Sequence, residues 1–385
     1  MDSDSVPVRF GWLILRKKGF DGVMKDNPSK KEPLLWLRFV LNSGLEIPVI
    51  RDWQTVFDFA SKQAVIGICD PTRYDVRMPK DLLFTWIGYI QAVKGQNQLL
   101  NQRAVEVYAF LRDARFRCCI LKGQGNALMY PDPSMRSPGD VDVWVDADKE
   151  TLYEFVRERF PDAKECFKHI KFPIFTDVEV DVHHTPLRFF HPKHNRLLQQ
   201  WLTDQKNEQF SHNVRLPETE SDIVVPTAKF NAVYQLGHIM EHLFEEGVGF
   251  RQLIDYFYVL KEVEGLSQKE RDEIVVTWKR LGMLRLASAV MWIESEVLGI
   301  PEGCLLTTPN RRLGKSMLED VLEGGNFGHY SERQLFSHRG KRLARRMATL
   351  RRLLKLSPCF PGEAAYRIPL RAFAVAKLDW RRILF

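Results

Sequence analysis

The sequence predicts an α+β fold in which a small mixed β-sheet is flanked by N-terminal and C-terminal helical regions. Three observations carry this. Residues 140–145 and 177–184 alternate acidic or histidine side chains with valine, which is the period of a strand. Between 116 and 185, short apolar runs alternate with a helical stretch at α/β spacing. Outside that window, apolar residues recur at helical spacing, before it from about Trp36 to Arg112 and after it from Thr227 to about 298.

In chain order, Trp36, Leu37, Phe39, Val40 and Leu41 form one apolar helical segment, and Trp53, Val56, Phe57 and Phe59 form a second. A longer pattern from Lys80 to Arg112 places Leu99, Leu100, Val105, Tyr108 and Leu111 on related faces. Pro7, Pro28, Pro33, Pro48 and Pro71 punctuate this region, residues 1–115, which reads as a helical cap. The α/β core, 116–225, is expected to hold strands near 117–122, 140–145, 165–175 and 177–183. A helix near 149–160, another near 193–203 and a short strand near 211–216 complete it. Helices near 227–246, 249–264, 268–280 and 283–298 make 226–330 a helical domain, and 331–385 reads as a basic helical tail.

With 385 residues and 45% apolar content the chain is long enough for two or three domains with real cores. None of its six cysteines shows metal-site spacing, and adjacent Cys118 and Cys119 fall in an apolar strand, so they read as small core residues of a reducing compartment. Residues 1–18 do not read as a secretory signal and no apolar run approaches the 18–20 residues of a membrane span, so a cytoplasmic location is the expectation.

Chemistry concentrates between 118 and 145. An apolar run ends in Lys122 and Gly123, a short helical turn and a proline-rich loop follow, and Asp140 and Asp142 then alternate with Val141, Val143 and Val145. Alternation sets the two acids on one face, about 7 Å apart along the strand. Two carboxylates brought to about 4 Å in a partly buried cleft repel by roughly 4 kcal/mol at an effective dielectric near 20. One must protonate, or a cation must join them, and an all-oxygen donor set points to Mg²⁺ or Mn²⁺.

A strand, a glycine turn with a helix, and Asp-x-Asp on the next strand resemble the polymerase β-like nucleotidyltransferase superfamily. More closely, Leu121-Lys122-Gly123, Tyr130-Pro131, Arg136 and Gly139-Asp140-Val141-Asp142 resemble a largely uncharacterised bacterial nucleotidyltransferase family, from about Trp53 to Pro361-Gly362-Glu363. The resemblance implies a third carboxylate on a later strand. In the alternating run 177–184, Glu179, Asp181 and His183 share a face, and Asp181 is favoured over its rival Glu179. By the same resemblance, Asp140, Asp142 and Asp181 ligate metal, and Asp181 draws the proton from the incoming hydroxyl.

For the nucleotide, Gly123 allows close backbone approach to phosphate at the start of the helix near 124–129. Lys122 and Arg136 are candidates for the β- and γ-phosphates. Gln124 stands where the superfamily carries serine, which leaves Gly125 or Ser137 as substitutes. The resemblance thus implies transfer of a nucleoside monophosphate from an NTP to an unknown acceptor, which is RNA, a protein or a small molecule, with release of pyrophosphate. The alternative is a non-catalytic module of the same fold that binds a nucleotide or nucleic acid.

Three further features compete for a role. His238, Glu241 and His242 match His-x-x-Glu-His, but a zinc site needs another acidic ligand from a neighbouring helix, and Glu245 and Glu246 lie on the same one. Lobe packing or nucleotide contact is the alternative, and Arg251 and Asp255 follow in the resembling family. The glycine-rich stretch 323–330 reads as a tight turn, or as a ligand loop in which Gly324, Gly325 and Gly328 give backbone access and Asn326 or His329 reads the ligand. Residues 332–385 hold 14 Lys or Arg against three acids, so their basic face suits RNA, an anionic membrane surface, or plain solvation.

Overall fold

The structure, a computed structural model, describes residues 20, 28–166, 168–328 and 342–376. Its N-terminal part is built from α1 (Lys31–Leu41), α2 (Trp53–Lys62) and the long α3 (Lys80–Asp113). Asp52 caps α2 by accepting from the Thr55 amide, which satisfies one of the free donors of its first turn. Trp36 and Trp53 meet edge to face at 4.8 Å, and the indoles of Trp36 and Trp86 donate to the carbonyls of Cys69 and Ile66. Those bonds let large aromatics be buried without stranding their N–H groups.

The central sheet has four strands: β1 (Cys118–Leu121), β2 (Val141–Val145), β3 (His169–Lys171) and β4 (Val180–His183), in the order β1-β2-β4-β3. β1 and β2 are antiparallel, β2 and β4 parallel, and β4 and β3 antiparallel. A one-turn α4 (Gly123–Ala127) lies between β1 and β2, and α5 (Lys149–Arg159) follows β2. α6 (Pro192–Gln209) and a separate hairpin of β5 (Asn213–Arg215) and β6 (Asp222–Val224) close this region. The strand expected over 165–175 is shorter than its pattern. Only a bridge between Glu165 and Ile170 precedes it, and Pro173, which lacks a ladder donor, follows it closely.

Each strand's period-two pattern assigns its faces. Val141, Val143, Val145, Val180 and Val182 share a core with Ile120, with Ala104 and Val107 of α3, and with Leu152 and Val156 of α5. The opposite face carries Asp142 and Trp144 on β2 and Asp181 and His183 on β4. Trp144 is buried there and stacks on Phe230 at 5.8 Å, which ties the sheet to the helices that follow.

Those helices are α7 (Ala228–Glu245), α8 (Phe250–Glu264), α9 (Gln268–Arg280), α10 (Leu284–Trp292), α11 (Arg311–Gly324), α12 (Arg342–Leu356) and α13 (Pro361–Ala376). α10 stops six residues before the expected end, because residues 293–298 widen into a π-helical turn that ends at Gly299 in the left-handed conformation. In α12, Leu353 and Leu356 are buried. Arg352 is held by Asp320, and Lys355 is held by Glu319. Part of the basic face expected for the tail is therefore paired with acids of α11. Residues 331–341 and 377–385 of that tail, and His329 of the glycine-rich stretch before it, lie outside the described residues. No helix among the described residues is long and apolar enough to cross a membrane.

Candidate active site

The parallel pairing of β2 with β4 sets Asp142 directly beside Asp181. Asp140, exposed on the turn that enters β2, completes a group in which one carboxylate oxygen from each acid lies within 4.8 Å of those from the other two. It is the one such group of three or more among the described residues. Glu179 points elsewhere: it is exposed and pairs with Lys171 at 3.1 Å.

The expectation that both strand acids are left repelling each other is corrected for Asp142. Its Oδ2 lies 2.7 Å from the Lys122 ammonium, and its Oδ1 lies 2.7 Å from His183 Nε2. Burial alone would raise this carboxyl, but Lys122 and then His183 outweigh it and hold it well below the usual range. The unrelieved repulsion falls instead on Asp181. Burial first, then the charges of Asp142 and Asp140, push it up to about 7. Its Oδ2 lies 3.2 Å from His169 Nε2, while Oδ1 is buried with no hydrogen-bond partner.

Both histidines are pushed down by burial, His169 to about 4, so neither adds positive charge near neutrality. Three carboxylates therefore share one ammonium. Hard oxygen donors, excess negative charge and a stranded buried carboxylate oxygen together fit a divalent cation.

Lys122 reaches the acids because its own backbone is left-handed, φ 49°, in the turn that leaves β1. Gly123 beside it also has positive φ, 37°, which a side chain would strain. The helix that follows is a single turn, so its dipole is weaker than a full helix would supply. Gln124 is buried and donates to Asn101, away from the acids, and Gly125 packs against Val225. Neither stands in for the serine. Ser137 is buried as well and does not line the cleft.

Arg136 lines the cleft with its guanidinium committed to an acid. Its Nε and one terminal nitrogen each donate to Asp255 at 2.8 Å, and Tyr130 donates to the same carboxylate at 2.6 Å. All three are buried. The Tyr130-Pro131 and Arg136 features of the motif thus form a lock between the sheet region and α8. Arg251 lines the cleft as well, and its guanidinium packs where a Cβ on Gly139 would stand, 2.5 Å from the nearest nitrogen. Burial and the neighbouring Arg136 pull it down to about 10, so it stays charged at neutral pH.

The cleft beside these groups has a volume of about 50 Å³ and opens to solvent. Lys122, Asp140, Asp142 and Arg251 line it together with His238 and Phe327. On α7, His238 Nε2 lies 3.3 Å from the Lys122 ammonium and 2.9 Å from His242 Nε2. Burial, then Lys122, holds His238 neutral, so its Nε2 accepts from Lys122. Glu241 is paired with Lys168. Among the described residues no third ligand joins His238 and His242, and the zinc arrangement is not assembled.

Sequence reasoning missed His169, Lys168 and Phe327. It placed His183 on the acidic face without a role and reached Arg251 through resemblance alone. The period-two pattern carried a signal for His183, two residues after Asp181. None existed for His169, which arrives by antiparallel pairing of β3 with β4.

A family model described as an uncharacterised nucleotidyltransferase matches residues 51–299. No curated protein matches. One solved structure, titled as an antigenic nucleotidyltransferase-like protein from Paracoccidioides brasiliensis, is similar at 14% identity. The match covers 48% of this chain and 88% of that one, with a TM-score of 0.28.

Proposed function

The chain belongs to the uncharacterised nucleotidyltransferase family, and on that premise we propose that it is a metal-dependent enzyme. It moves a nucleoside monophosphate from an NTP to an acceptor and releases pyrophosphate. The observation that carries this reading is the convergence of Asp140, Asp142 and Asp181, the first two of which line an open cleft. These three residues would hold Mg²⁺ or Mn²⁺. A bound divalent cation would supply neutralisation of the triphosphate and a lower pKa for the attacking hydroxyl.

The remaining work belongs to the protein's own groups. Lys122 and Arg251 balance triphosphate charge from two sides of the cleft, as phosphoryl transfer chiefly requires positioning and charge neutralisation. Gly123 lets the nucleotide approach the backbone. Asp181, the acid with a free oxygen, takes the proton from the acceptor hydroxyl. His183 orients Asp142 by hydrogen bonding, as outer partners of ligating carboxylates do, and His169 stands beside Asp181. On this reading residues 116–225 are the catalytic core, and α7 and α8 within 226–330 form the opposite wall. The helical cap of 1–115 and the basic tail of 331–385 are its flanks, and the tail is a candidate contact for an RNA acceptor.

The test is transfer of label from each α-³²P-NTP, with Mg²⁺ or Mn²⁺, into the macromolecules and small molecules of a cell extract. Asp140→Asn serves as the control, because Asp140 is exposed and its loss leaves the buried packing alone. Label should move with the wild type and fall by more than about 10²-fold in the variant, beyond the 10- to 100-fold that outer partners of a metal account for. Equal transfer by both proteins would sink the assignment of the acids.

A further inference from the structure

The cleft's outer wall comes from a segment beyond residue 299, where the family match ends. There α11 gives way to the turn Gly325-Asn326-Phe327-Gly328, and Phe327 adopts φ 51°, ψ 25°. A left-handed backbone is unfavourable for a bulky side chain and persists only where the surroundings enforce it. The enforcement is visible on every side. A Cβ on Gly247 would stand 2.9 Å from Gly328 Cα, and one on Gly249 would stand 2.8 Å from Asn326 Cα, so two glycines let the loops meet backbone to backbone. Gln252 donates to Asn326 Oδ1 at 3.1 Å. Fully buried Gln63, the residue that caps the end of α2, donates to the Val321 carbonyl and accepts from the Phe250 amide, which joins the N-terminal helices to the same clamp.

What the clamp presents is an aromatic ring. Phe327 is half-buried, lines the cleft, and meets the His242 ring at 5.0 Å between centroids. His242 adjoins His238, and His238 adjoins Lys122 beside the acids. The ring therefore stands outward along α7 from the metal-fitting end, as the base of a nucleotide stands a ribose away from its phosphates. We propose that Phe327 is the stacking surface for the nucleobase, held there by the clamp at the cost of an unfavourable backbone. This rests on the nucleotidyltransferase reading and deepens it. Recognition by a π face tolerates every base, so the pocket should take all four nucleotides with purines ahead.

The experiment measures equilibrium binding of ATP, GTP, CTP, UTP and inorganic tripolyphosphate to the full chain, wild type against Phe327→Ala and Phe327→Trp, each checked by thermal melting. Tripolyphosphate has the charge without the base. Phe327→Ala should weaken every NTP by about 5- to 150-fold, the span of one lost stacking contact. It should leave tripolyphosphate unchanged, and Phe327→Trp should keep or strengthen NTP binding. The proposal is overturned if Phe327→Ala binds NTP as the wild type does, or if tripolyphosphate weakens in parallel. If the wild type binds NTP and transfers nothing, the enzymatic reading fails while the stacking result still stands. If it binds no NTP, both fall.

Discussion

Two clusters of charge face the same cleft, and they are built on opposite terms. Around Asp255, one carboxylate meets one guanidinium through two parallel bonds and accepts a tyrosine hydroxyl, all of it buried. Burial alone would raise Asp255, but Arg136 outweighs it and holds the carboxyl low. Around Asp181, three carboxylates share one lysine, and a buried oxygen is left without a partner. The first cluster is closed and belongs to the fold. The second is incomplete by itself, and a group that remains unsatisfied in a well-packed region is where a ligand gains most by arriving.

The sharpest way to break this comparison is to open the closed cluster. Arg136→Ala should cost about 3–5 kcal/mol of stability, because it leaves Asp255 buried without its cation. Urea or thermal unfolding reads this directly, and an unchanged midpoint would mean that the lock is not structural.

A smaller effect is expected from the open cluster's support. His183→Ala should weaken divalent cation binding by about 10- to 100-fold, since the Asp142 carboxylate loses the partner that orients it. Titration with Mn²⁺ followed by electron paramagnetic resonance measures the loss without relying on turnover. An unaltered affinity would make His183 a packing residue only.

The smallest effect lies far from the cleft, in a third kind of buried charge. Glu294, in the π-helical turn, is buried with neither carboxyl oxygen partnered, and burial raises it well above 4.5. A carboxyl raised in the folded state binds its proton more tightly there than in the unfolded chain. Its contribution is therefore fully present below about pH 4.5 and is lost as pH climbs toward the folded value. Glu294→Gln should match the wild type's melting temperature near pH 4.5 and exceed it at pH 8. Parallel melting curves across that range would refute it.

Legibility in the sequence followed the range of the interactions concerned. The valine alternation at 141–145 and the helical spacing of 228–245 are local patterns, and the elements appear where those patterns put them. Asp140 and Asp142 sit two residues apart at the entry to one strand, so their nearness was readable. The partner of Arg136 was not readable, because a lone arginine in a loop carries no sign of it and Asp255 is 119 residues away. Phe327 was hidden for the same reason, its place being set by Gly247 and Gly249 from one segment and Gln63 from another.

By itself, then, the sequence determined the α+β class, the strands that carry Asp142 and Asp181, and the face on which those two acids lie, because backbone periodicity is a property of neighbours. Only the tertiary structure decided that β2 and β4 run parallel with Asp142 beside Asp181, that Lys122 and not solvent balances Asp142, and that Arg251 and Phe327 complete the cleft. Those choices depend on which segments are packed together and on what charge is left over once they are, and no local pattern records either.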